Sequence, residues 1–460
     1  MDDASGEVGG THSMRDCGSH LFILAILMAT VTDCLSAQNP IITNQFTADP
    51  SARVFEGRVY VYPSHDIPAG EGRGRPGWFC MEDYHVFSSE NLIDWTDHGV
   101  IVSQDKVPWL NSKSYSMWAP DCIYRNGKYY FYFPAPAKDT SYGRGFSIGV
   151  AVSEKPYGPF TPQPEPIKNV HGIDPNPFID KDGQAYLYWA ARNIYVAKLK
   201  ENMVELAGKP QVVEGLPGEG LKEGPWMFER NRIYYLTYPH VQNRTERLEY
   251  AIGDNPMGPF RIAGVIMDET PDCWTNQNSI IEFKNQWYLF YHQNDLSPRF
   301  DKNRSVRIDS LFFNGDGTIR KVVPTLRGVG LTDAAREIQI DRYSLKGEGA
   351  SIAFLDTLRR FEGWKTILDA ANAWVQYNGV DFGSKKYKSV SVKALSRTGG
   401  TVELRFDEVD RPAIARVEIP RGGDWSIVRS NLSELQSGIH NLIVLLRGDD
   451  NVEIDWISFE

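Results

Sequence analysis

Cysteine is scarce, with 5 in a chain of 460 residues. Cys17 and Cys34 lie in or beside an N-terminal apolar segment, which leaves Cys80, Cys122 and Cys273 and room for at most one disulfide. A disulfide-stapled scaffold is thereby excluded. No Cys-x-x-Cys or Cys/His spacing suggests zinc. Positive charge is also in deficit: 49 Lys and Arg against 59 Asp and Glu give a net charge of −10. That balance disfavours a protein that tracks a nucleic-acid backbone. Long hydrophobic runs are missing. The one candidate, Leu21 to Val31, is too short to cross a bilayer but has the length of a signal-peptide core. Arg15 precedes it, Leu35-Ser36-Ala37 follows as a small-residue cleavage site, and Met14 would serve as the start. An exported chain (periplasmic or extracellular) with a leader at 1–37 and no span in the mature protein is therefore expected.

Aromatic residues are abundant: 12 Trp, 22 Tyr and 22 Phe, or 12% of the chain, with Gly and Pro near average. That mixture, with few helix-like stretches, points to an all-β protein. A pattern of strand, turn and aromatic strand recurs five times, at spacings of about fifty to seventy residues. It begins at Asp49-Pro, Ala119-Pro-Asp, Asp174-Pro, Glu223-Gly and Asn278-Ser. It ends on Val-Tyr-Val-Tyr62, Tyr-Tyr-Phe-Tyr132, Ala-Tyr-Leu-Tyr188, Tyr-Leu-Thr-Tyr238 and Tyr-Leu-Phe-Tyr291. Asn126-Gly127 and Asp182-Gly183 supply the positive φ of tight hairpin turns. Two copies are followed by a second motif, Glu154-Lys-Pro-Tyr-Gly-Pro-Phe160 and Asp254-Asn-Pro-Met-Gly-Pro-Phe260. Five such units predict a five-bladed β-propeller, whereas a two-sheet sandwich predicts no internal period. The first strand of each blade lines the central funnel, so the matched acids Asp49, Asp174 and Glu223 converge. Converging carboxyls suit glycosidic hydrolysis: one protonates the leaving oxygen, another activates water, and a third raises the acid's pKa by like-charge repulsion. The spacing leaves the roles unassigned, and acids at strand starts are also ordinary turn residues.

Asn44-Gln-Phe-Thr-Ala-Asp49-Pro, Ser116-Met-Trp-Ala-Pro-Asp121, Gly172-Ile-Asp174-Pro and Lys222-Glu223-Gly-Pro resemble the signatures of glycoside hydrolase family 43. The resemblance runs from about Asn39 to about Leu326. It implies an inverting enzyme of arabinan, arabinoxylan or xylo-oligosaccharides, with Asp49 as general base, Asp174 as pKa modulator and orienter, and Glu223 as general acid. Trp118 and Trp226 are candidate walls for a sugar face, with blade packing the competing role of each. Arg304 is placed to bond sugar hydroxyls or the base, or to pack a blade. Asp121, His240 and His292 read as structural. Family members often carry a His in the fifth-blade opening that contacts a central Ca²⁺ through water. Gln277 stands there, so it is counted with the substrate-binding residues and a central cation is doubtful. The insertion 69–77 is a candidate cap on the funnel. No cofactor is required for catalysis.

Beyond Pro324 the pattern changes to short strands of period two, as in Ser389-Val-Ser-Val-Lys-Ala-Leu395, which suggest a β-sandwich of jelly-roll type. The expected division is a propeller at 38–328, a linker at 329–335 and a sandwich at 336–460. Ile338-Gln-Ile-Asp-Arg-Tyr343, Gly422-Gly-Asp-Trp425 and Ile454-Asp-Trp456 resemble a family 6 carbohydrate-binding module. By that resemblance Trp425 is a glycan-binding aromatic and Asp341 and Asp455 hold a structural Ca²⁺. Glu453 replaces an expected Asn, Trp364 is the one candidate for a second aromatic, and Trp374 and Trp456 are core. The leading expectation is a monomeric α-L-arabinofuranosidase or β-xylosidase acting on plant-type polysaccharide. An endo-arabinanase, a galactan-directed enzyme and a non-catalytic glycan-binding propeller are the alternatives.

Overall fold

Each aromatic repeat folds as a hairpin, and in four of the five the turn is set by two successive residues of positive φ. The pairs are Glu56-Gly57 (53° and 75°), Asn126-Gly127 (50° and 79°), Asn231-Arg232 (53° and 66°) and Lys284-Asn285 (50° and 64°). Mirror-image turns of this kind match the right-handed twist of the strands they join. At Asp182-Gly183 only Gly183 is left-handed (84°), and its amide closes the turn on the Asp180 carbonyl. The expected two-residue turn is therefore a longer one there.

The structure is a computed structural model that describes residues 36–433 and 437–460. The expected leader, apart from Ser36 and Ala37, lies outside the described residues. Among the described residues there are thirty strands, three short 3₁₀ turns and no α-helix. Four blades are four-stranded meanders that open on Phe46–Phe55, Asp121–Arg125, Ile173–Ile179 and Trp226–Arg230. The fifth has three strands: Ser279–Phe283, Gln286–Gln293 and Ser305–Leu311. Its outer edge is taken by the start of the described chain. Ile41 N–H donates to the Val306 carbonyl (2.9 Å). The Asn39 side chain donates to the Ile308 carbonyl and accepts from the Ile308 amide (2.9 Å each). The ring thus closes by pairing residues near positions 40 and 308, and the sheet edge that would otherwise stand open is covered.

The repeated tyrosines hold neighbouring blades together. Tyr62, Tyr132, Tyr188, Tyr238 and Tyr291 are all fully buried. A buried hydroxyl needs a partner, and three of these find one on the outer turn of the next blade. Tyr62 donates to the Pro156 carbonyl (2.5 Å), Tyr132 to the Met203 carbonyl (2.5 Å) and Tyr188 to the Pro256 carbonyl. Pro156 and Pro256 belong to the two copies of the second sequence motif, whose role is therefore to present a carbonyl to the preceding blade. Cys80, Cys122 and Cys273 are buried free thiols.

The C-terminal part is a sandwich of two sheets, with Trp374–Asp381, Ile439–Arg447, Gly400–Phe406 and Ala415–Ile419 in one. Ala350–Phe354, Trp364–Leu368, Val452–Phe459, Ser389–Leu395 and Ser426–Asn431 form the other. Thr332–Asp333 already pairs in parallel with Val380 and Asp381, so the expected linker is partly sandwich. Propeller and sandwich belong to one compact unit. Tyr377 donates to the Ala37 carbonyl (2.6 Å), Arg342 to the Asn39 carbonyl (3.2 Å), and Arg336 pairs with Asp94 (2.6 Å). Asn39→Ala removes the side-chain bonds to Ile308, leaving the backbone bonds of Asn39 and Ile41, and strands a buried carbonyl and amide. The expected result is a loss of about 2–3 kcal/mol of stability, read as a lower urea midpoint.

Candidate functional site

The inner strands of blades one and three begin on a bent backbone. Asp49 (φ 47°) and Asp174 (φ 56°) both take the left-handed conformation, which L-residues other than Asn and Asp seldom adopt. In each case a proline follows. In blade four the bend falls one residue later, at Gly224 (φ 50°), directly after Glu223. A Cβ on Gly224 would lie 2.9 Å from the Pro239 ring, and its amide donates to Asp174 Oδ2 (2.8 Å). These bends bring Asp49, Asp174 and Glu223 to one pocket, which Trp118, Gln277 and Arg304 also line.

Asp49 is clamped on all sides. Its Oδ1 accepts from Arg304 Nη1 (2.7 Å) and its Oδ2 from Ser64 Oγ (2.7 Å). Its own amide donates to His292 Nδ1 (3.1 Å), while His292 Nε2 donates to the Thr275 carbonyl (2.9 Å). Both nitrogens of the buried imidazole are thus committed. Burial and then the Arg304 charge hold it neutral, with a pKa pushed down to about 3. Arg304 is itself buried and forks onto Asp66 through Nε (2.9 Å) and Nη2 (3.0 Å). Of the roles open to Arg304 in the sequence, the structure selects orientation of Asp49. His292 acts on Asp49 in the same way, through the backbone.

Glu223 is the contrasting carboxyl. Burial, then the adjacent Glu246 carboxyl, lift its pKa well above the ordinary value. Burial and then Glu223 lift Asp174 likewise. Glu246 lies on Glu246–Gly253 in blade four and is fully buried. Its Oε2 accepts from the Asn276 amide (2.6 Å), and burial pushes it up to about 8. The site therefore holds protons that isolated carboxyls would have lost at neutral pH, beside one carboxylate fixed by donors. An acid and a base on one pocket are what hydrolysis of a glycosidic bond needs.

The aromatic wall differs from the sequence expectation. Trp118 lines the pocket, its ring 4.5 Å from Phe146, and its carbonyl accepts from Tyr84 (2.6 Å). Trp226 does not line it. It is buried between blades, with Nε1 bonded to the Ile280 carbonyl (3.1 Å) and the Arg53 guanidinium 4.1 Å above its ring. The further walls are Trp78, Phe79 and Trp274. Trp78 and Phe79 directly follow the 69–77 insertion, so the cap on the funnel is its C-terminal flank. Asp121 is structural as expected, bound by Arg53 (3.0 Å) and Asn176 (2.8 Å). So is His240, 3.0 Å from Glu249. Glu246, Asp66, Trp78 and Trp274 were missed, since none stands at a repeat opening.

The residues present do not fit the Ca²⁺ expected in the sandwich, and they bear on the central cation that the sequence leaves in doubt. Gln277 fills the position where the resembling family places an imidazole, and His292 has no free nitrogen. In the sandwich, Asp341 pairs with Arg342 (2.6 Å) and Asp455 with Lys393 (2.7 Å). One buried oxygen, Asp341 Oδ2, lacks a partner, far short of the six to eight oxygens of a Ca²⁺ site. Trp425 is half-buried, with Lys365 Nζ 6.0 Å from its ring and paired to Glu453 (2.6 Å). Trp364 is buried against Phe354 under the Arg342 guanidinium, so it is no second platform. Trp374 and Trp456 are half-buried rather than core.

Residues 37–319 match the model of glycosyl hydrolases family 43, and residues 361–460 match that of the family 6 carbohydrate binding module. The chain is 38% identical to a xylosidase/arabinosidase 43A of Humicola insolens, over 61% of this chain and 98% of that protein. It is 36% identical to a xylosidase/arabinosidase of Bacteroides ovatus, over 61% of this chain and 95% of that one. Among solved structures it resembles a β-xylosidase/α-arabinofuranosidase from a compost microbial metagenome, in complex with xylotriose and in calcium-free form. That match has a TM-score of 0.57 at 36% identity and covers 63% of this chain and 98% of that one.

Because Glu246 holds Glu223 protonated, Glu246→Gln should let Glu223 ionise earlier. The alkaline limb of the pH–rate profile should then move to lower pH. An unmoved limb would show that Glu246 does not tune the acid.

Proposed function

The chain belongs to glycosyl hydrolases family 43, and from that premise we propose that it is an inverting, exo-acting α-L-arabinofuranosidase or β-xylosidase of plant-type polysaccharide. The observation that carries this is the pairing of a donor-clamped Asp49 with a proton-holding Glu223 in one aromatic-walled pocket. In the proposed cycle one pentosyl unit enters the pocket against Trp118. Asp49, held by Arg304, Ser64 and the His292-anchored backbone, takes a proton from water as that water attacks the anomeric carbon. Glu223 gives its proton to the departing glycosidic oxygen. Asp174, bonded to the Gly224 amide, orients the acid's loop, while burial, Glu246 and Asp49 keep Glu223 protonated. No cofactor enters these steps. The walls at Trp78 and Phe79 support a closed end and hence removal of terminal units.

Two assignments accompany this one. The chain is exported, a reading supported by the apolar run from Leu21 to Val31 with small residues after it. The sandwich presents Trp425 to glycan.

Nitrophenyl arabinofuranoside, nitrophenyl xyloside or both should be turned over, and Glu223→Gln should lower kcat on natural oligosaccharides about 10²–10⁴-fold. No turnover of either, or of arabinan and arabinoxylan, would remove the assignment. NMR of the first-formed sugar should show the inverted anomer; a retained anomer would reassign Asp49 as nucleophile. In native gels xylan or arabinan should retard the protein, and Trp425→Ala should abolish the retardation. An unchanged mobility would leave the sandwich as a structural appendage.

A further inference from the structure

A second cavity, of about 340 Å³, opens on the other side of Glu223. It shares Ile173 and Glu223 with the catalytic pocket. Phe146 lines it and packs on Trp118, which lines the catalytic pocket, so the two cavities meet across one aromatic pair. A glycan cut at the catalytic pocket leaves past its acid, so this cavity is where the departing chain would lie.

Its lining is charged in one sense. Arg144, Arg192, Lys222 and His171 face it, and its one acidic group is Glu223 itself, which burial and Glu246 keep protonated. Lys222 is buried, with Nζ bound to the carbonyls of Glu219 (3.1 Å) and Gly220 (2.9 Å). Arg144 and Arg192 are exposed, and among the described residues neither has an ion-pair or hydrogen-bond partner. Their places on the backbone are set by the turns that carry them. Arg192 occupies the tight turn between Ala185–Ala191 and Asn193–Lys198 with φ 66°, a conformation unusual for this residue type. Arg144 stands between Gly143, packed on the His171 ring, and Phe146. On a chain of net charge −10, two unpaired guanidiniums beside the acid form a local field of opposite sign. A guanidinium's fork matches a carboxylate.

We propose that this cavity is a leaving-group subsite for a glycan carrying a carboxylate, a uronic acid, held by Arg144 and Arg192. The inference rests on the glycosidase reading above and specifies the aglycone that reading leaves open. Charge on the leaving chain is recognised where it does not touch the bond being broken, so it acts on binding of the natural substrate.

The test uses the full chain and two matched substrates: an arabinosyl- or xylosyl-ended oligosaccharide with a uronosyl residue on the leaving side, and the same molecule with its carboxyl reduced to the alcohol. The acidic substrate should have a kcat/KM about tenfold higher at low salt, with the gap narrowing in 0.5 M NaCl as the charges are screened. Arg144→Gln with Arg192→Gln should close that gap, chiefly through KM. Uronosyl residues placed in the backbone or as a branch distinguish the two sources of the same group. Equal kcat/KM for acidic and reduced substrates, or a preference that survives the double substitution, would overturn the proposal. Turnover of nitrophenyl glycosides without turnover of the acidic oligosaccharide would do so as well. Inactivity on every substrate would instead overturn the glycosidase assignment.

Discussion

One guanidinium ties the ends of the propeller to its chemistry. Arg304 comes from the last blade, and both of its carboxylate partners, Asp49 and Asp66, come from the first. Each of the three is buried, and an uncompensated charge in such a place costs about 3–5 kcal/mol. The ion triad therefore forms only when blades one and five are in contact, and Asp49 is aimed only when the ring is closed. His292 reinforces this from the neighbouring strand, fixing the Asp49 backbone where Arg304 fixes its side chain. A base that must take a proton without itself moving is well served by two anchors of different kinds.

The acid is built on the opposite plan. Among the described residues no cation forms an ion pair with Glu223, and burial and the Glu246 carboxyl dominate its surroundings. Two groups of the same chemical type, on one pocket, thus sit in opposite surroundings: donors hold Asp49, while burial and a neighbouring carboxyl raise the pKa of Glu223. The division follows the blades: cationic support comes from blade five toward blade one, and carboxyl crowding arises between blades three and four. The pocket's polarity is a property of the ring as a whole rather than of any one loop.

The repeat made most of this legible from sequence. Its opening residues lie 13 to 15 positions before the last tyrosine of the aromatic strand, so matched positions mark the funnel without knowledge of any contact. Asp49, Asp174 and Glu223 were found in this way, and a left-handed bend, at the acid itself in blades one and three and at Gly224 in blade four, accompanies the proline or glycine that follows each acid. Glu246, Asp66 and Trp274 follow no such offset. Glu246 starts a third strand, Asp66 ends a second, and Trp274 sits in an irregular approach, and they meet the site only through packing across blades. Trp226 failed for the converse reason. It is close to the acid in sequence, but its ring is turned toward the Ile280 carbonyl of the next blade and the Arg53 guanidinium of blade one. In the sandwich the motif residues were visible, Arg342 beside Asp341 among them, but the partner of Asp455, Lys393, was not, because it meets that carboxylate only through the register of two strands.

The stretch from Ser36 to Ile41 lies against both blade five and the sandwich. Asn39 alone meets Ile308, Leu326 and Arg342. On the ribosome these partners emerge roughly three hundred residues after Asn39 itself, at about 5–20 residues per second. For that interval blades one to four can assemble, but the first segment has nothing to pair with and the ring has an exposed seam. Completion of the catalytic pocket is thus a late event in the life of the chain, set by synthesis of its C-terminal third. The same seam makes the nascent propeller vulnerable to pairing with a second chain until its own tail arrives.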